Sequence, residues 1–104
     1  MKTLLVISAG TEAIFGIKRA KDLGYFVVAS DGNPEAPGFQ IADDKIIAST
    51  YDIEDTLNKV IKYNKFSRKI DGVICIASDI PKTVAAISNR SIEEADIPLQ
   101  NVIQ

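Results

Sequence analysis

Three polar stretches follow short apolar segments of this sequence, and each could contact a small ligand. The first, Ser8-Ala9-Gly10-Thr11-Glu12, leads directly into an amphipathic segment. A glycine-containing turn before a helix can present backbone N–H groups to an anion, and the helix N-terminus favours negative charge there. The same glycine also has a purely structural explanation, since it permits a tight connection between a strand and a helix.

The second stretch is the run Asp31-Gly32-Asn33-Pro34-Glu35-Ala36-Pro37-Gly38-Phe39-Gln40, which holds two prolines and two glycines. Asn-Pro and Pro-Gly pairs form turns, so a surface connection explains the composition. A loop of this length at a ligand-binding edge is nevertheless often functional. The third stretch is Ser78-Asp79, where Asp79 is either a ligand contact or the N-cap of a helix.

A dinucleotide-binding fingerprint can be tested on the first stretch. The Gly-x-Gly-x-x-Gly/Ala frame falls on Ser8, Gly10 and Ala13, so Gly10 alone supplies a required glycine. Asp31 follows about 20 residues on, where an acid could bind a ribose hydroxyl, although it can equally be a turn residue. Binding of an NAD-type nucleotide is therefore an alternative hypothesis.

The elements that position these stretches follow from hydrophobic periodicity. Continuous apolar runs predict strands that are buried on both faces; they cover residues 4–7, 26–29, 46–48 and 73–77. Helical spacing predicts a helix over residues 12–23 that ends at Gly24, a second helix capped by Asp52, and a third that begins at Asp79.

This order of elements predicts an α/β fold: a small doubly wound, Rossmann-like parallel sheet of four strands in the order 3-2-1-4, with helices on both faces. Ligands of such sheets bind outside the carboxyl ends of the strands, which is where the three polar stretches lie. The fourth strand is then expected to be an exposed edge of the sheet. An unpaired edge can recruit a second copy of the chain, so a homodimer is one expectation.

Composition excludes several classes of function. The chain has 104 residues, 12 basic and 14 acidic side chains, a net charge of −2, no histidine and one cysteine, Cys75. The length predicts one domain, and the missing histidine excludes His-ligated metals, Ser-His-Asp triads and Cys-His dyads. The charge argues against a nucleic-acid partner. A basic run is explained by solvation and the helix dipole; its members are Lys59, Lys62, Lys65, Arg68 and Lys69.

Location and extent follow from the two ends of the sequence. The first apolar run is too short for a signal peptide or a membrane span, and a lone cysteine fits a reducing compartment, so we expect a cytoplasmic protein. Residues 1–90 are expected to form the domain. Residues 91–104 are an extension or the start of a truncated segment, because the spacing of Leu99, Val102 and Ile103 predicts a helix that has only begun.

The second stretch also carries a resemblance to a known family. The run Asp31-x-Asn33-Pro34-x-x-Pro37-x-x-Gln40-x-Ala42-Asp43-Asp44, one strand after Leu23-Gly24-Tyr25, resembles the N-terminal (pre-ATP-grasp) domain of ATP-grasp ligases. Over residues 1–90 the chain resembles the carbamoyl-phosphate synthase large subunit and biotin carboxylase-like enzymes, and also the purine-biosynthetic carboxylases and formyltransferases of that superfamily. Apart from the resemblance, Asp43 and Asp44 can be interpreted as solvated residues before a strand.

The resemblance implies the substrate-side domain of a carboxylate–amine type ligase, which uses ATP to form an acyl-phosphate that an amine or another nucleophile attacks. ATP and magnesium would bind later subdomains, in cis or on a partner chain, so neither catalytic residues nor metal ligands nor catalysis by this chain alone are expected. The resemblance implies a small-molecule site at the three polar stretches; its expected residues are Gly10, Thr11, Glu12, Asp31, Asn33, Ser78 and Asp79. The alternatives are a freestanding Rossmann-like module that binds an NAD-type nucleotide, or a structural subunit.

Overall fold

The described part of the chain contains five strands and two helices. The structure, a computed structural model, describes residues 1–49, 52–75 and 102–103. Its strands are β1 (Thr3–Ile7), β2 (Phe26–Asp31), β3 (Asp44–Ile47), β4 (Gly72–Cys75) and β5 (Val102–Ile103). Its helices are α1 (Ile14–Asp22) and α2 (Ile53–Phe66), and short 3-10 turns cover Thr11–Ala13 and Pro37–Gln40. The helix predicted from Asp79 lies outside the described residues.

The strands form one parallel sheet in the order β3-β2-β1-β4-β5. Leu5 in β1 lies opposite Val28 in β2 and Val73 in β4, so β1 is paired on both sides. The predicted α/β class and the strand order 3-2-1-4 are confirmed. This order brings the carboxyl ends of β1 and β2 side by side, together with the loops that follow them.

The C-terminal residues differ from the expectation of a helix. Val102 and Ile103 form β5, which pairs in parallel with Val73 and Ile74 of β4. The helix prediction is wrong for these two residues, because β-branched residues suit a strand and these two pair with the backbone of β4. The expectation that the fourth strand is a sheet edge is wrong, because β5 pairs with β4; β3 lies at the other edge, as the predicted order implies.

Successive residues of β1 pack into different cores, because side chains alternate across a strand. One core contains α1; its buried residues are Val6, Ala9, Ala13, Ile17, Ala20, Val27, Ala29 and Ala36. The other contains α2; its buried residues are Leu5, Ile7, Val28, Ile46, Ala48, Leu57, Val60, Tyr63, Ile70 and Val73. Helices therefore cover both faces, as predicted. Neither of the described helices is long and apolar enough to cross a membrane.

The helix boundaries follow the local signals. The Asp52 side chain accepts a hydrogen bond from the Asp55 N–H at 3.1 Å, so Asp52 is the predicted N-cap of α2. Gly24 has φ +92°, the left-handed conformation that favours glycine after a helix. At the other end, α1 begins only at Ile14, since a 3-10 turn occupies the first residues predicted as helical.

Two acidic residues at the start of β3, Asp43 and Asp44, bind donors from neighbouring strands and helices. Asp43 accepts the Val27 N–H at 2.8 Å and forms an ion pair with Lys21 at 3.6 Å. Asp44 accepts the Tyr63 hydroxyl at 2.8 Å. The interpretation of both residues as simply solvated is wrong, because each carboxylate binds a donor from another element.

Candidate functional site

The candidate site lies at the carboxyl ends of β1 and β2. Two loops form it: residues 8–12, which we call the first loop, and residues 32–40, which we call the proline loop. The Ser8 N–H donates to the Ser30 carbonyl at 2.8 Å, so the pairing of β1 and β2 continues just past the end of β1. The first loop therefore begins from a fixed position on the sheet.

Asp31 holds both loops at the end of β2. One carboxylate oxygen accepts the Ala9 N–H at 2.9 Å, and the other accepts the Asn33 N–H at 3.0 Å. Hydrogen bonds to an ionised acceptor are stronger than those between neutral groups. Asp31 therefore positions the first loop against the proline loop, and its predicted contact with substrate stays a prediction.

Asn33 shapes the start of the proline loop. Its side-chain carbonyl accepts the Glu35 N–H at 3.0 Å, a local bond of the kind that asparagine forms in turns. The Ala36 N–H in turn donates to the Asn33 carbonyl at 3.0 Å. The turn explanation of Asn33 is therefore confirmed, while a role in substrate binding stays a prediction.

The proline loop packs directly on the first loop at Gly38. The Gly38 N–H donates to the Ala9 carbonyl at 2.7 Å. A Cβ at this buried position would lie 2.7 Å from that oxygen and 2.9 Å from Cδ1 of Ile17. Only glycine fits without a shift of backbone, so the two loops and α1 form one packed unit.

The left-handed residue of the first loop is Ser8 and not Gly10. Ser8 has φ +87°, and it is the only non-glycine residue with positive φ among those the structure describes. Gly10 has φ −69° and ψ −177°, which other residues adopt readily. The structural explanation of Gly10 as the residue that permits the tight turn is therefore wrong, because the strain falls two residues earlier.

Glu12 places a carboxylate over the backbone of the first loop. Both of its carboxylate oxygens lie 2.9 Å from where a Cβ on Gly10 would be, and the Ser8 hydroxyl approaches one of them at 3.4 Å. Glu12 and Thr11 are exposed, so both remain accessible to a ligand. A carboxylate here favours a ligand with N–H or O–H donors.

The two loops, together with Asp31, carry acidic side chains and no basic ones. Glu12, Asp31 and Glu35 are the acids, and no lysine or arginine occurs in residues 8–12 or 31–40. This charge suits an ammonium group better than a phosphate. Among the residues that the structure describes, no group of three or more His, Cys, Asp or Glu could hold a metal ion.

The structure brings together Gly10, Thr11, Glu12, Asp31 and Asn33, whereas Ser78 and Asp79 lie outside the described residues. Sequence reasoning missed Ser8 and Gly38 as the residues that set the loop geometry. Gly38 had a signal, since a glycine between Pro37 and Phe39 indicates a close approach. The signal for Ser8 was weaker: it occupies the position of the first glycine in the nucleotide-binding frame.

Comparisons by sequence and by structure gave different results. No family model matches the chain, and no curated protein matches it significantly. Solved structures do match. N5-carboxyaminoimidazole ribonucleotide synthetase from Thermotoga maritima is 25% identical with a TM-score of 0.68, over 89% of this chain. Phosphoribosylglycinamide synthetase from Anaerococcus prevotii is 25% identical with a TM-score of 0.71, over 86% of this chain.

A third neighbour contains a nucleotide. N5-carboxyaminoimidazole synthetase from Staphylococcus aureus, complexed with ADP, is 21% identical with a TM-score of 0.68, over 86% of this chain and 22% of its own. The chain likewise spans 23% and 22% of the first two neighbours. These neighbours are ATP-grasp ligases, which supports the resemblance to the N-terminal region of that superfamily.

Proposed function

We propose that this chain is the substrate-side domain of an ATP-dependent carboxylate–amine ligase of the ATP-grasp class, and that it is not catalytic by itself. The observation that carries the proposal is the likeness in fold to two synthetases at 25% identity, over 86–89% of this chain but less than a quarter of theirs. The ATP-binding subdomains would lie in cis or on a partner chain.

The chemistry of the loops supports the amine side of this reaction. An amine substrate can donate to Glu12, and the acidic loops attract its ammonium form before it loses a proton to become the nucleophile. Thr11 can contribute a hydroxyl, which both donates and accepts. Asp31 acts by positioning the first loop, since both of its oxygens accept backbone N–H groups.

The cofactors of the complete enzyme are proposed to be ATP and magnesium, bound outside this chain. The ADP bound to the Staphylococcus aureus neighbour supports ATP as the nucleotide of the complete enzyme. The neighbours described above act on other substrates, so the finer assignment to a carbamoyl-phosphate synthase-like enzyme stays a prediction. The cytoplasmic location, the domain division at residue 90 and a homodimer also stay predictions.

The direct test measures ADP release from ATP with and without the ATP-binding part of the enzyme. The 104-residue chain alone should release no ADP. When it is joined to or mixed with the ATP-binding subdomains, release should require both a carboxylate and an amine substrate. ATP turnover by the isolated chain would overturn the proposal.

Two variants test the role of the loops in the reconstituted enzyme. Glu12→Gln should raise the KM of the amine substrate while leaving the KM of ATP unchanged, because the lost charge faces only the amine. Asp22→Asn is the matched control, since this exposed acid lies at the far end of α1. Equal effects of the two substitutions would remove Glu12 from the binding site.

Titration with NAD distinguishes the proposed ligase domain from the rival nucleotide-binding module. The proposed ligase domain should not bind NAD, because Ser8 stands where the nucleotide-binding frame requires its first glycine. Micromolar binding of NAD that is lost in Asp31→Asn, with the fold retained by circular dichroism, would favour that module over the ligase.

A further inference from the structure

An open groove runs between the edge strand β3 and helix α2, which we call the edge groove. It encloses about 460 Å³. Its lining residues are Lys45, Ile46, Lys59, Lys62, Tyr63, Phe66 and Ser67. Because α2 runs antiparallel to the strands, the Phe66 end of the groove lies near the amino ends of the strands, whereas the candidate site lies at their carboxyl ends.

The floor of the edge groove is apolar and fixed. Ile46 is 6% exposed and Tyr63 is buried, and the Tyr63 hydroxyl is held by Asp44 at 2.8 Å. Phe66 is 76% exposed, although a side chain of this size is usually buried. A large aromatic ring beside a preformed apolar floor can anchor a side chain from a partner.

The walls of the groove are basic. Three of its lining residues, Lys45, Lys59 and Lys62, are basic, and none is acidic. Lys59 contacts the Ile47 carbonyl at 2.7 Å and Asp55 at 3.2 Å, so its charge is partly compensated. Lys45 and Lys62 are exposed on either side, and the Lys45 ammonium lies 5.8 Å from the Phe39 ring. These two lysines are the charges that a ligand would meet.

The groove also lies along an open strand. β3 pairs with β2 on one side and has no neighbouring strand on the other among the described residues. An exposed edge can accept an extended chain through main-chain hydrogen bonds, and pockets beside it then select the side chains. Of the edge carbonyls, that of Ile47 is already bound by Lys59.

We propose that the edge groove binds an extended acidic peptide segment from a partner protein. The segment lies along β3 and places carboxylates on Lys45 and Lys62 and an apolar side chain on Phe66. A nucleic acid fits less well, because Phe66 is the only exposed aromatic ring in the groove for a base to stack on.

The test uses a fluorescein-labelled peptide of alternating glutamate and leucine, with fluorescence anisotropy as the readout. The peptide should bind the full chain, and added salt should weaken binding because the charges are exposed. Two changes, Lys45→Glu together with Lys62→Glu, should weaken it about tenfold or more, since two attractions become repulsions. Phe66→Ala should weaken it separately, and all three sites are exposed, so the fold should be kept.

The matched control reverses two exposed lysines elsewhere, Lys2→Glu together with Lys18→Glu, which changes the net charge equally. It should retain most of the affinity. Equal losses in both double variants would mean general charge attraction and would overturn the proposal. So would binding of a lysine–leucine peptide, or tighter binding of single-stranded oligothymidine that the groove variants abolish.

Discussion

Replacing Gly38 with alanine should destabilise the protein through the contact between the two loops. The new Cβ would lie 2.7 Å from the Ala9 carbonyl oxygen and 3.0 Å from the Ala9 Cα, both backbone atoms that cannot rotate away. Forcing an extra carbon into a packed site costs about 1–3 kcal/mol. For a domain of this size, each kcal/mol lowers Tm by roughly 4–8 °C.

Gly10→Ala is the matched control, because its Cβ would be almost as close to a neighbour. The atoms 2.9 Å away are the Glu12 carboxylate oxygens, at the end of a flexible, exposed side chain. Gly10 also has φ −69°, which alanine adopts without strain. Loss of flexibility in the unfolded chain should therefore leave this variant neutral or more stable by about 0.4–1 kcal/mol.

Urea unfolding followed by circular dichroism measures both variants against the wild type. Gly38→Ala should unfold at a clearly lower urea concentration with an unchanged slope. A Gly38→Ala protein as stable as the wild type would refute the packing argument. A Gly10→Ala protein that loses as much would refute the distinction between rigid and movable neighbours.

Three further predictions concern the same elements. Ser8→Gly should raise the unfolding free energy by about 0.5–1 kcal/mol, because relief of the left-handed strain (~1–2 kcal/mol) exceeds the flexibility added by glycine; a less stable variant would contradict it. Asp31→Asn should lower the free energy of unfolding, measured in urea, by about 1.5–3 kcal/mol, since the amide nitrogen cannot accept a hydrogen bond from an N–H group. Asp22→Asn is its control. Burial raises the pKa of Tyr63 above its usual value of 10.0, and the hydrogen bond to Asp44 and the Asp44 charge raise it further, while Arg68 lowers it. Tyr63 therefore ionises at a lower pH in the unfolded chain than in the folded one. The free energy of unfolding should accordingly fall as the pH rises above 10.0. Tyr63→Phe should reduce that alkaline loss.

The candidate site was predictable in part. The order of elements places both loops at the carboxyl ends of neighbouring strands, so Gly10, Glu12 and Asp31 could be grouped from the sequence. Their contacts could not be predicted, because Asp31 binds the Ala9 N–H across 22 positions of the chain. Such a bond depends on how two loops meet after the sheet has formed.

The edge strands show the same limit. The apolar runs predicted four strands and their order, but they did not predict the fifth strand that lies beside β4. Val102 and Ile103 have a spacing that fits a helix, and pairing with β4 places them in a strand. Tertiary pairing overrides local propensity here, because a propensity difference is small beside the cost of unpaired backbone groups.

The sequence by itself determined the strand order 3-2-1-4, the Asp52 cap and the left-handed Gly24, because periodicity and capping depend on neighbours within one or two turns. Only the tertiary structure decided that Ser8 carries the strain of the first loop, that Gly38 packs on Ala9, and that Val102 and Ile103 pair with β4. Those features arise from segments distant in the sequence that share one packed volume, and no local pattern encodes the distances between them.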